Sequence, residues 1–292
     1  MMTNTQQRKL REQLPNYLFI LPQFILFVAF LAWPVFRGIQ ISLNDWKIMA
    51  TTQRFIGAQN YVEIFRDPTW WKALRNSFSF TSLVMGFNTV IALLVALNLK
   101  RNFAGRNFFR FVFYLPSVLS VTVIGILAWR VWDPRGGLLN NFVVAVLGGQ
   151  PVQWWTGSSE MLILVATTVW WTFGFPMLVF LAGLHNIPEP IYEAAKMDGA
   201  GAWHALTKIT LPLLTPTLLF IFTTQFITHM QMFGQAYQLG SPDTQTVFVY
   251  LFDTSWKFFR FGYASAMGVA LTLIIVGVTR ILFALFSRRF EY

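Results

Sequence analysis

The stretch EAAKMDGAGAWHALTKITLP, from Glu193 to Pro212, is a polar, glycine-punctuated segment between two long apolar runs. The chain around it has 292 residues, of which 55% are hydrophobic and only 12% are charged. This balance lies outside that of soluble globular domains and indicates a membrane protein. A polar segment of such length is therefore expected to lie outside the hydrocarbon core of the bilayer and to have a functional role there.

Cysteine content and charge exclude several classes of site. The chain has no cysteine, so it cannot build a disulfide, a thiolate nucleophile or a cysteine-ligated metal centre. Its net charge is +10, but the basic residues fall mainly between apolar runs and form no basic helix or aromatic-basic repeat. We predict a membrane-flanking role for them, no nucleic-acid partner, and no catalytic residue, metal site or cofactor in this chain.

Six windows without Asp, Glu, Lys or Arg are apolar enough to cross a bilayer, which takes ~20 residues of helix. They are Leu14–Phe36, Asn76–Leu99, Phe111–Trp129, Met161–Leu184, Leu213–Tyr237 and Phe261–Thr279. A seventh window, Gly136–Ser159, has only a short apolar core and predicts an interfacial or extramembrane helix. The sequence therefore predicts an all-α, polytopic membrane protein with six transmembrane helices.

The distribution of basic residues predicts the orientation. The connection Lys100–Arg110 holds four basic residues and no acid, and two spans place it on the side of the basic N-terminus. The positive-inside bias then puts both termini in the cytoplasm, although the connection Arg37–Arg75 on the other side also carries basic residues, mixed with acids. We predict cytoplasmic tails at 1–13 and 288–292, a transmembrane domain at 14–287, and a cytoplasmic loop at about 185–212.

The polar loop is predicted to contain two short helices. Pro190 suits the first turn of a helix, and Glu193 favours the positive end of the helix dipole, so a helix is expected over Pro190–Met197. Gly199 can end that helix in the left-handed conformation, and Trp203–Ile209 can form a second helical turn before Pro212 opens the next span. An ordinary helical hairpin on the membrane surface is the alternative interpretation.

The loop carries a motif of seven positions whose joint agreement by chance is improbable. Here the sequence resembles the permease subunits of binding-protein-dependent ABC importers, whose hallmark is EAA-x3-G-x9-I-x-LP. The match is complete at Glu193, Ala194, Ala195, Gly199, Ile209, Leu211 and Pro212. The stretches FIGAQNYVEIFRDPTWWKALRNS, FVFYLPSVLS and IPEPIYEAAKMDGAGAW look like the carbohydrate-uptake branch, and the first span looks like its MalF-type subunit.

The resemblance implies a MetI/MalF-like permease fold in a bacterial or archaeal inner membrane. Its loop would be a coupling helix that docks on a cytoplasmic ATPase, with Glu193 a candidate ion-pair partner and Gly199 setting the turn. The implied partners are a second homologous permease, two ATP-binding subunits and an extracytoplasmic solute-binding protein. ATP and Mg would be bound by the ATPase, because this chain has no G-x-x-x-x-G-K-[ST] loop.

Polar side chains on two spans suggest where a solute could pass. Gln225, Thr228, His229 and Met232 have spacings that put them on one helical face. The resemblance to maltose-type permeases implies a mid-membrane sugar site at these four positions together with Thr168, Thr172 and Phe175. For His229 alone, a hydrogen-bonded role in helix packing is the alternative.

Two other classes of function stay open at this point. An ion-coupled secondary transporter or a channel would act without an ATPase, but the spans hold almost no ionisable residue at depth. A membrane enzyme would need a motif such as H-E-x-x-H or G-x-S-x-G, and neither occurs. Within the importer reading, oligosaccharides and glycerol phosphate are both possible solutes.

Overall fold

The computed structural model describes residues 18–47, 53–156 and 158–287, so the two predicted tails lie outside the described residues. The chain divides into two compact units. One unit comprises Met1–Arg66 and Leu251–Ala270, and the other comprises Asp67–Tyr250 and Leu271–Tyr292. In the described ranges the fold is helical apart from one short hairpin, which confirms the predicted all-α class.

The described helices follow the chain in this order: α1 Leu18–Ser42, α2 Gln59–Arg66, α3 Pro68–Lys100, α4 Arg106–Tyr114, α5 Val121–Trp132, α6 Leu138–Ala145, α7 Ser158–Thr172, α8 Gly174–His185, α9 Glu189–Met197, α10 Ala202–Leu213, α11 Thr215–Met230, α12 Gly234–Leu239, α13 Val247–Trp256 and α14 Phe261–Ser287. A 3₁₀ turn, Leu115–Val118, extends α4, and π-helical turns lie within α1 and α10. Strands β1, Asn44–Asp45, and β2, Arg54–Phe55, form the antiparallel hairpin.

The six predicted spans correspond to three unbroken helices and three bent pairs. The unbroken helices α1, α3 and α14 are each long and apolar enough to cross a membrane. The pairs α4–α5, α7–α8 and α10–α11 are bent by 101°, 48° and 68° at short breaks. The sequence windows showed no sign of the first two bends, because those breaks fall inside continuous apolar runs, whereas the third break lies at the boundary between the polar loop and the fifth window.

The first unit is organised around the buried amide of Asn60 on α2. Its Nδ2 donates to the carbonyl oxygens of Ser42 at 2.8 Å and Asn44 at 3.1 Å, which ties α2 to the end of α1 and to β1. Gly262 lies against the same turn, since a Cβ there would sit 2.0 Å from the Asn44 carbonyl oxygen. Helix α2, which ends just before Asp67-Pro68, is thus fixed by a polar contact.

The second unit is built around α3, which packs against α7, α8 and α11. Ala92 and Ala96 are fully buried in one apolar cluster with Met177, Phe180 and Leu181 of α8. Small side chains let helix backbones approach closely, which is how helices pack in the absence of a hydrophobic drive from water. The centre of α3 is therefore held tightly by its neighbours.

Two of the bends have identifiable local causes. At the α7–α8 break, a Cβ on Gly174 would lie 2.6 Å from the Phe113 carbonyl oxygen, so only glycine lets the end of α4 pass so close. At the α10–α11 break, Pro216 lies in the first turn of α11 and donates no hydrogen bond, and the Thr215 hydroxyl donates to the Pro212 carbonyl oxygen at 2.6 Å.

Two details of the predicted fifth span differ from the structure. Pro212 lies within α10 and does not open the next span, because the break falls at Leu214. The span also ends at Met230, and the chain turns before continuing as the separate short helix α12. Turn positions this close together cannot be read from an apolar window.

Candidate functional site

The EAA motif residues lie on α9 and α10, which together we call the EAA segment. Helix α9 ends in a Schellman motif: the Ala200 amide donates to the Ala195 carbonyl at 2.9 Å, and the Gly199 amide donates to the Lys196 carbonyl at 3.1 Å. Gly199 has φ of +78°, the left-handed conformation that this motif requires. The predicted end of the first helix at Asp198-Gly199 is confirmed together with its physical cause.

The seven motif residues do not all meet at one place. Ala195, Gly199 and Ile209 border a notch of about 350 Å³ between the two helices, together with His204. Glu193 and Ala194 are exposed on α9, while Leu211 and Pro212 are half-buried near the far end of α10. The motif thus provides both an open surface and the internal packing that shapes it.

Two large apolar residues of the EAA segment were not among the predicted site residues. Met197 is 88% exposed at the end of α9, and Trp203 is 76% exposed at the start of α10. They flank the turn at Gly199 and create an apolar surface on an otherwise polar segment. Their position beside that turn, in the sequence KMDGAGAW, was the available signal.

The EAA segment is fastened internally and to α3. The Tyr192 hydroxyl of α9 hydrogen-bonds the Thr210 hydroxyl of α10 at 3.0 Å. Lys100, the last residue of α3, places its ammonium 4.2 Å from the Tyr192 ring centre and 3.8 Å from a Glu189 carboxylate oxygen. These contacts join both short helices to the end of a long membrane helix.

A second candidate site is a cavity of about 530 Å³ among α3, α7, α8, α11 and the 3₁₀ turn after α4. Six of the seven predicted solute-path residues line it: Thr172, Phe175, Gln225, Thr228, His229 and Met232. The other lining residues are Asn88, Ser117, Val121, Trp171, Pro176, Thr224, Gln231, Phe233 and Gly234. The cavity therefore joins the two spans that the sequence had paired.

Asn88 of α3 is the polar centre of this cavity, and the sequence reading did not select it. Its Nδ2 donates to the Thr172 hydroxyl oxygen at 2.9 Å and to Gln225 Oε1 at 3.1 Å. It therefore cross-links three helices at membrane depth. The signal in the sequence was an asparagine within an apolar run, which is costly in lipid and marks a packed or functional position.

Several buried polar atoms at the cavity have no hydrogen-bond partner within the described ranges. They are Asn88 Oδ1, Gln225 Nε2 and His229 Nδ1. The three residues are almost fully buried and all line the cavity. Since an unpaired buried polar atom is costly, this set of one acceptor, one amide donor and one ring nitrogen is suited to a hydroxyl-bearing ligand.

Thr168 does not line the cavity, although it lies one helical turn before Thr172. Its hydroxyl is buried, 2.6 Å from the Leu164 carbonyl oxygen and 2.5 Å from the Gln235 side-chain amide of α12. The nearby amide atom is Gln235 Oε1, an acceptor, so the single hydroxyl proton of Thr168 faces two acceptor oxygens, those of Leu164 and Gln235. The structure thus gives Thr168 a role in holding α12 against α7.

The opposite end of α3 holds the loop between α12 and α13. Lys72 Nζ lies 2.6 Å from Asp243 Oδ1, and Asn76 Nδ2 donates to the carbonyl oxygens of Asp243 and Gln245. The hydrogen bond and charge of Lys72 lower the pKa of the exposed Asp243 carboxyl below its ordinary value of 3.8. Helix α3 therefore contacts this loop, the cavity and the EAA segment in turn.

Comparison with known sequences gives consistent matches. Residues 88–292 match the family model described as "Binding-protein-dependent transport system inner membrane component". The chain is 32% identical to the probable ABC transporter permease protein YesP of Bacillus subtilis, over 94% of this chain and 90% of that protein. It is also 32% identical to the lactose transport system permease protein LacF of Rhizobium radiobacter, over 89% of this chain and 90% of that protein.

A further relative and a solved structure extend these matches. The trehalose/maltose transport system permease protein MalF of Thermococcus litoralis is 29% identical, over 94% of both chains. A chain of a bacterial alginate ABC transporter, solved in complex with an alginate pentasaccharide-bound periplasmic protein, aligns with a TM-score of 0.85 at 22% identity. That alignment covers 97% of this chain and 98% of the other, and it shows a shared fold.

Proposed function

This chain belongs to the family of binding-protein-dependent transport system inner membrane components, and from that premise we propose that it is one permease subunit of an ATP-driven sugar importer. It would form half of the path through the membrane. A second, homologous permease would form the other half, two ATP-binding subunits would bind ATP and Mg, and an extracytoplasmic binding protein would deliver the solute. Both termini and the EAA segment would then lie in the cytoplasm.

The observation that carries this proposal is the construction of the EAA segment. It is a capped pair of helices with exposed Met197 and Trp203 at its turn, fastened through Lys100 to α3. A rigid element of this kind passes on the motion of a docked partner, which a flexible loop would absorb. Such a device serves a subunit that is driven by another protein, and a channel or ion-coupled carrier acting alone has no use for it.

The cavity supports a neutral polyhydroxy solute. No Asp, Glu, Lys or Arg is among its lining residues in the described chain, so it offers no charge to a phosphate or an acidic sugar. The unpaired atoms of Asn88, Gln225 and His229 can bond hydroxyl groups, while Trp171 and Phe175 offer faces to the C–H side of a sugar ring. The names of the lactose and trehalose/maltose permeases among the relatives agree with this class.

Transport would follow from the position of α3. ATP binding would close the ATPase dimer, the docked EAA segments would move with it, and Lys100 would carry that motion to α3. Because Asn88 lies on the same helix, the cavity would open to one side and then the other as the two permeases rock around it. The loop held by Lys72 and Asn76 would move with the opposite end of α3.

Disulfide cross-linking of the assembled complex tests the ATPase contact directly. The chain has no cysteine, so Met197→Cys introduces a single thiol at the proposed docking surface. With a cysteine series on the ATPase surface, Met197→Cys should form a cross-link whose yield changes with ATP. Arg54→Cys, on the exposed hairpin, is the matched control and should form none. If Met197→Cys gives no more cross-link than Arg54→Cys at any nucleotide state, the proposal fails.

A further inference from the structure

A second cavity lies where α3 ends, between its last turns and helix α4. Its volume is about 350 Å³, and its lining is apolar except for one amide. The lining residues are Leu94, Val95, Asn98, Leu99, Phe103, Phe109 and Phe113, which together we call the elbow groove. The proposed function makes no use of this groove.

The elbow groove is open to its surroundings. Leu94 on one wall is 53% exposed and Phe109 on the other is 44% exposed, although both are large apolar residues. Phe109 packs against Phe103 and Phe113 with tilted rings, at ring-centre distances of 6.1 Å in each case, so the aromatic wall is preformed. The groove is thus a ready apolar surface that nothing in the described chain covers.

Helix α4 has the geometry of a helix at the membrane surface. It is amphipathic, and with its 3₁₀ extension it meets the strongly apolar α5 at an angle of 101°. Two helices at nearly a right angle cannot both run along the membrane normal, and the amphipathic α4 is the one suited to lie along the interface, where such helices bury one face among lipid headgroups and acyl chains. The elbow groove then opens at the depth where acyl chains begin.

The rim of the groove is strongly basic. Residues 100–110 contain four basic side chains and no acid, and of these Lys100 is occupied by Glu189 and Tyr192. Arg106 and Arg110 share a helix face with Phe109 and Phe113, since their spacings are three, four and seven residues. The positive charge of α4 therefore lies within one helical turn of the aromatic wall formed by Phe109 and Phe113.

These arginines are not neutralised by the protein. Arg101, Arg106 and Arg110 form no ion pair with an acidic residue of the described ranges. The Nε atom of Arg110 is buried and has no hydrogen-bond partner there, while its Nη1 makes one long bond of 3.4 Å to Asn107 Oδ1. A guanidinium group in this condition favours a phosphate, which accepts two parallel hydrogen bonds from it.

We propose that the elbow groove binds an anionic phospholipid, with an acyl chain against Leu94, Val95 and Phe109 and the phosphate held by Arg101, Arg106 and Arg110. Clusters of basic residues at the end of a membrane helix attract anionic lipids, whereas the choline cation of a zwitterionic lipid cancels that attraction. The bound lipid sits beside Lys100, so it braces the junction of α3 with the EAA segment.

Native mass spectrometry of the delipidated full-length chain tests the charge requirement. Phosphatidylglycerol and phosphatidylcholine with identical acyl chains are added in turn, and the wild type should retain the first on the order of tenfold more strongly. The triple variant Arg101→Gln, Arg106→Gln, Arg110→Gln should lose that preference. The control triple Arg54→Gln, Arg66→Gln, Arg75→Gln removes three exposed arginines elsewhere and should keep it. Equal retention of both lipids by the wild type, or an unchanged preference in the first triple, overturns the proposal.

Two further measurements separate a lipid from other occupants. Leu94→Trp, which fills the groove from an exposed wall, should lower retention of both lipids several-fold, and inorganic phosphate at millimolar concentration should not displace phosphatidylglycerol. Full displacement by phosphate would make this an anion site without a lipid, against the proposal. The complete transporter should retain the lipid as the isolated chain does; loss of retention on assembly would assign the groove to the partner permease and also overturn it.

Discussion

Replacing Gly199 with alanine isolates the backbone conformation that closes the EAA segment. Gly199 has φ of +78°, and a Cβ at this position would meet no atom within 4 Å. Alanine therefore introduces no clash, and its whole cost is the left-handed conformation, roughly 1–2 kcal/mol for a residue with a Cβ. Because the segment tip is exposed, this cost should appear as loss of the Schellman cap and leave the stability of the membrane helices almost unchanged.

We expect Gly199→Ala to shift the equilibrium of the EAA segment from the capped toward the uncapped conformation. A cost of 1–2 kcal/mol changes the ratio of capped to uncapped segment by roughly 5- to 30-fold. In proteoliposomes with the partner subunits, Gly199→Ala should lower sugar-stimulated ATP hydrolysis and uptake together. Gly199→Asn should recover part of both, since asparagine tolerates the left-handed conformation better than alanine.

Gly201→Ala is a control two residues away in the same turn. Gly201 has φ of −69° and also has open space around a Cβ, so alanine should be tolerated there. Equal activities for Gly199→Ala and Gly201→Ala would refute the reasoning, since both positions have room for a Cβ and only Gly199 has a positive φ. Hydrogen exchange at the amide of Ala200, which donates to Ala195, should rise in the first variant and stay constant in the second.

Substitutions elsewhere in the second unit test the cavity, the α7–α8 break and the contacts of helix α3. Asn88→Ala should raise the half-saturating sugar concentration for uptake on the order of tenfold, since it leaves the buried Gln225 Oε1 without the hydrogen bond that Asn88 donates; Asn98→Ala, an exposed asparagine of the same helix, should not. Gly174→Ala should lower the free energy of unfolding of the purified chain by about 1–3 kcal/mol, seen as a lower melting temperature, because its Cβ would meet the backbone of Phe113. Gly86→Ala meets no atom within 4 Å and should leave the melting temperature unchanged. The Lys72–Asp243 salt bridge should persist above pH 3.8 and be lost as the pH falls through the lower folded-state pKa of Asp243. The loss should appear as weaker protection of residues 240–246 from proteolysis. Asp243→Asn should abolish this dependence of protection on pH. Val90→Gly on the exposed face of α3 should reduce sugar stimulation of ATP hydrolysis but not basal hydrolysis, and Val90→Ala should change neither.

The EAA segment was predictable because its structure is decided locally. Pro190 at the start of α9 and Gly199 after its end act within one turn of the residues that they affect. The same holds for the six apolar windows, since length and composition alone decide whether a helix can cross a membrane. Where the cause of a feature lies within a few residues of it, sequence spacing was sufficient.

The cavity was predictable only in part, because its walls come from distant parts of the chain. Thr168 shares a helix face with Thr172, yet Gln235 of α12 covers the first and leaves the second at the cavity. Asn88 was missed because its partners lie 84 and 137 residues away. The bend at Gly174 likewise depends on a backbone contact with Phe113, which no pattern within the α7–α8 run contains.

The contacts of helix α3 explain why Val90→Gly should reduce the stimulation of ATP hydrolysis by sugar and leave basal hydrolysis unchanged. Asn76, Asn88 and Lys100 contact the loop between α12 and α13, the cavity and the EAA segment at intervals of 12 residues, which is ~18 Å of helix each. Each interval turns the side chain by ~120°, so the three contacts lie on three different faces. A helix with contacts on three faces cannot slide or rotate without breaking one of them. It can keep all three only if it tilts as a rigid body. Glycine at Val90, between the cavity and Lys100, lets one half tilt without the other; if sugar stimulates hydrolysis in Val90→Gly as strongly as in Val90→Ala, α3 is not the element that couples the two sites.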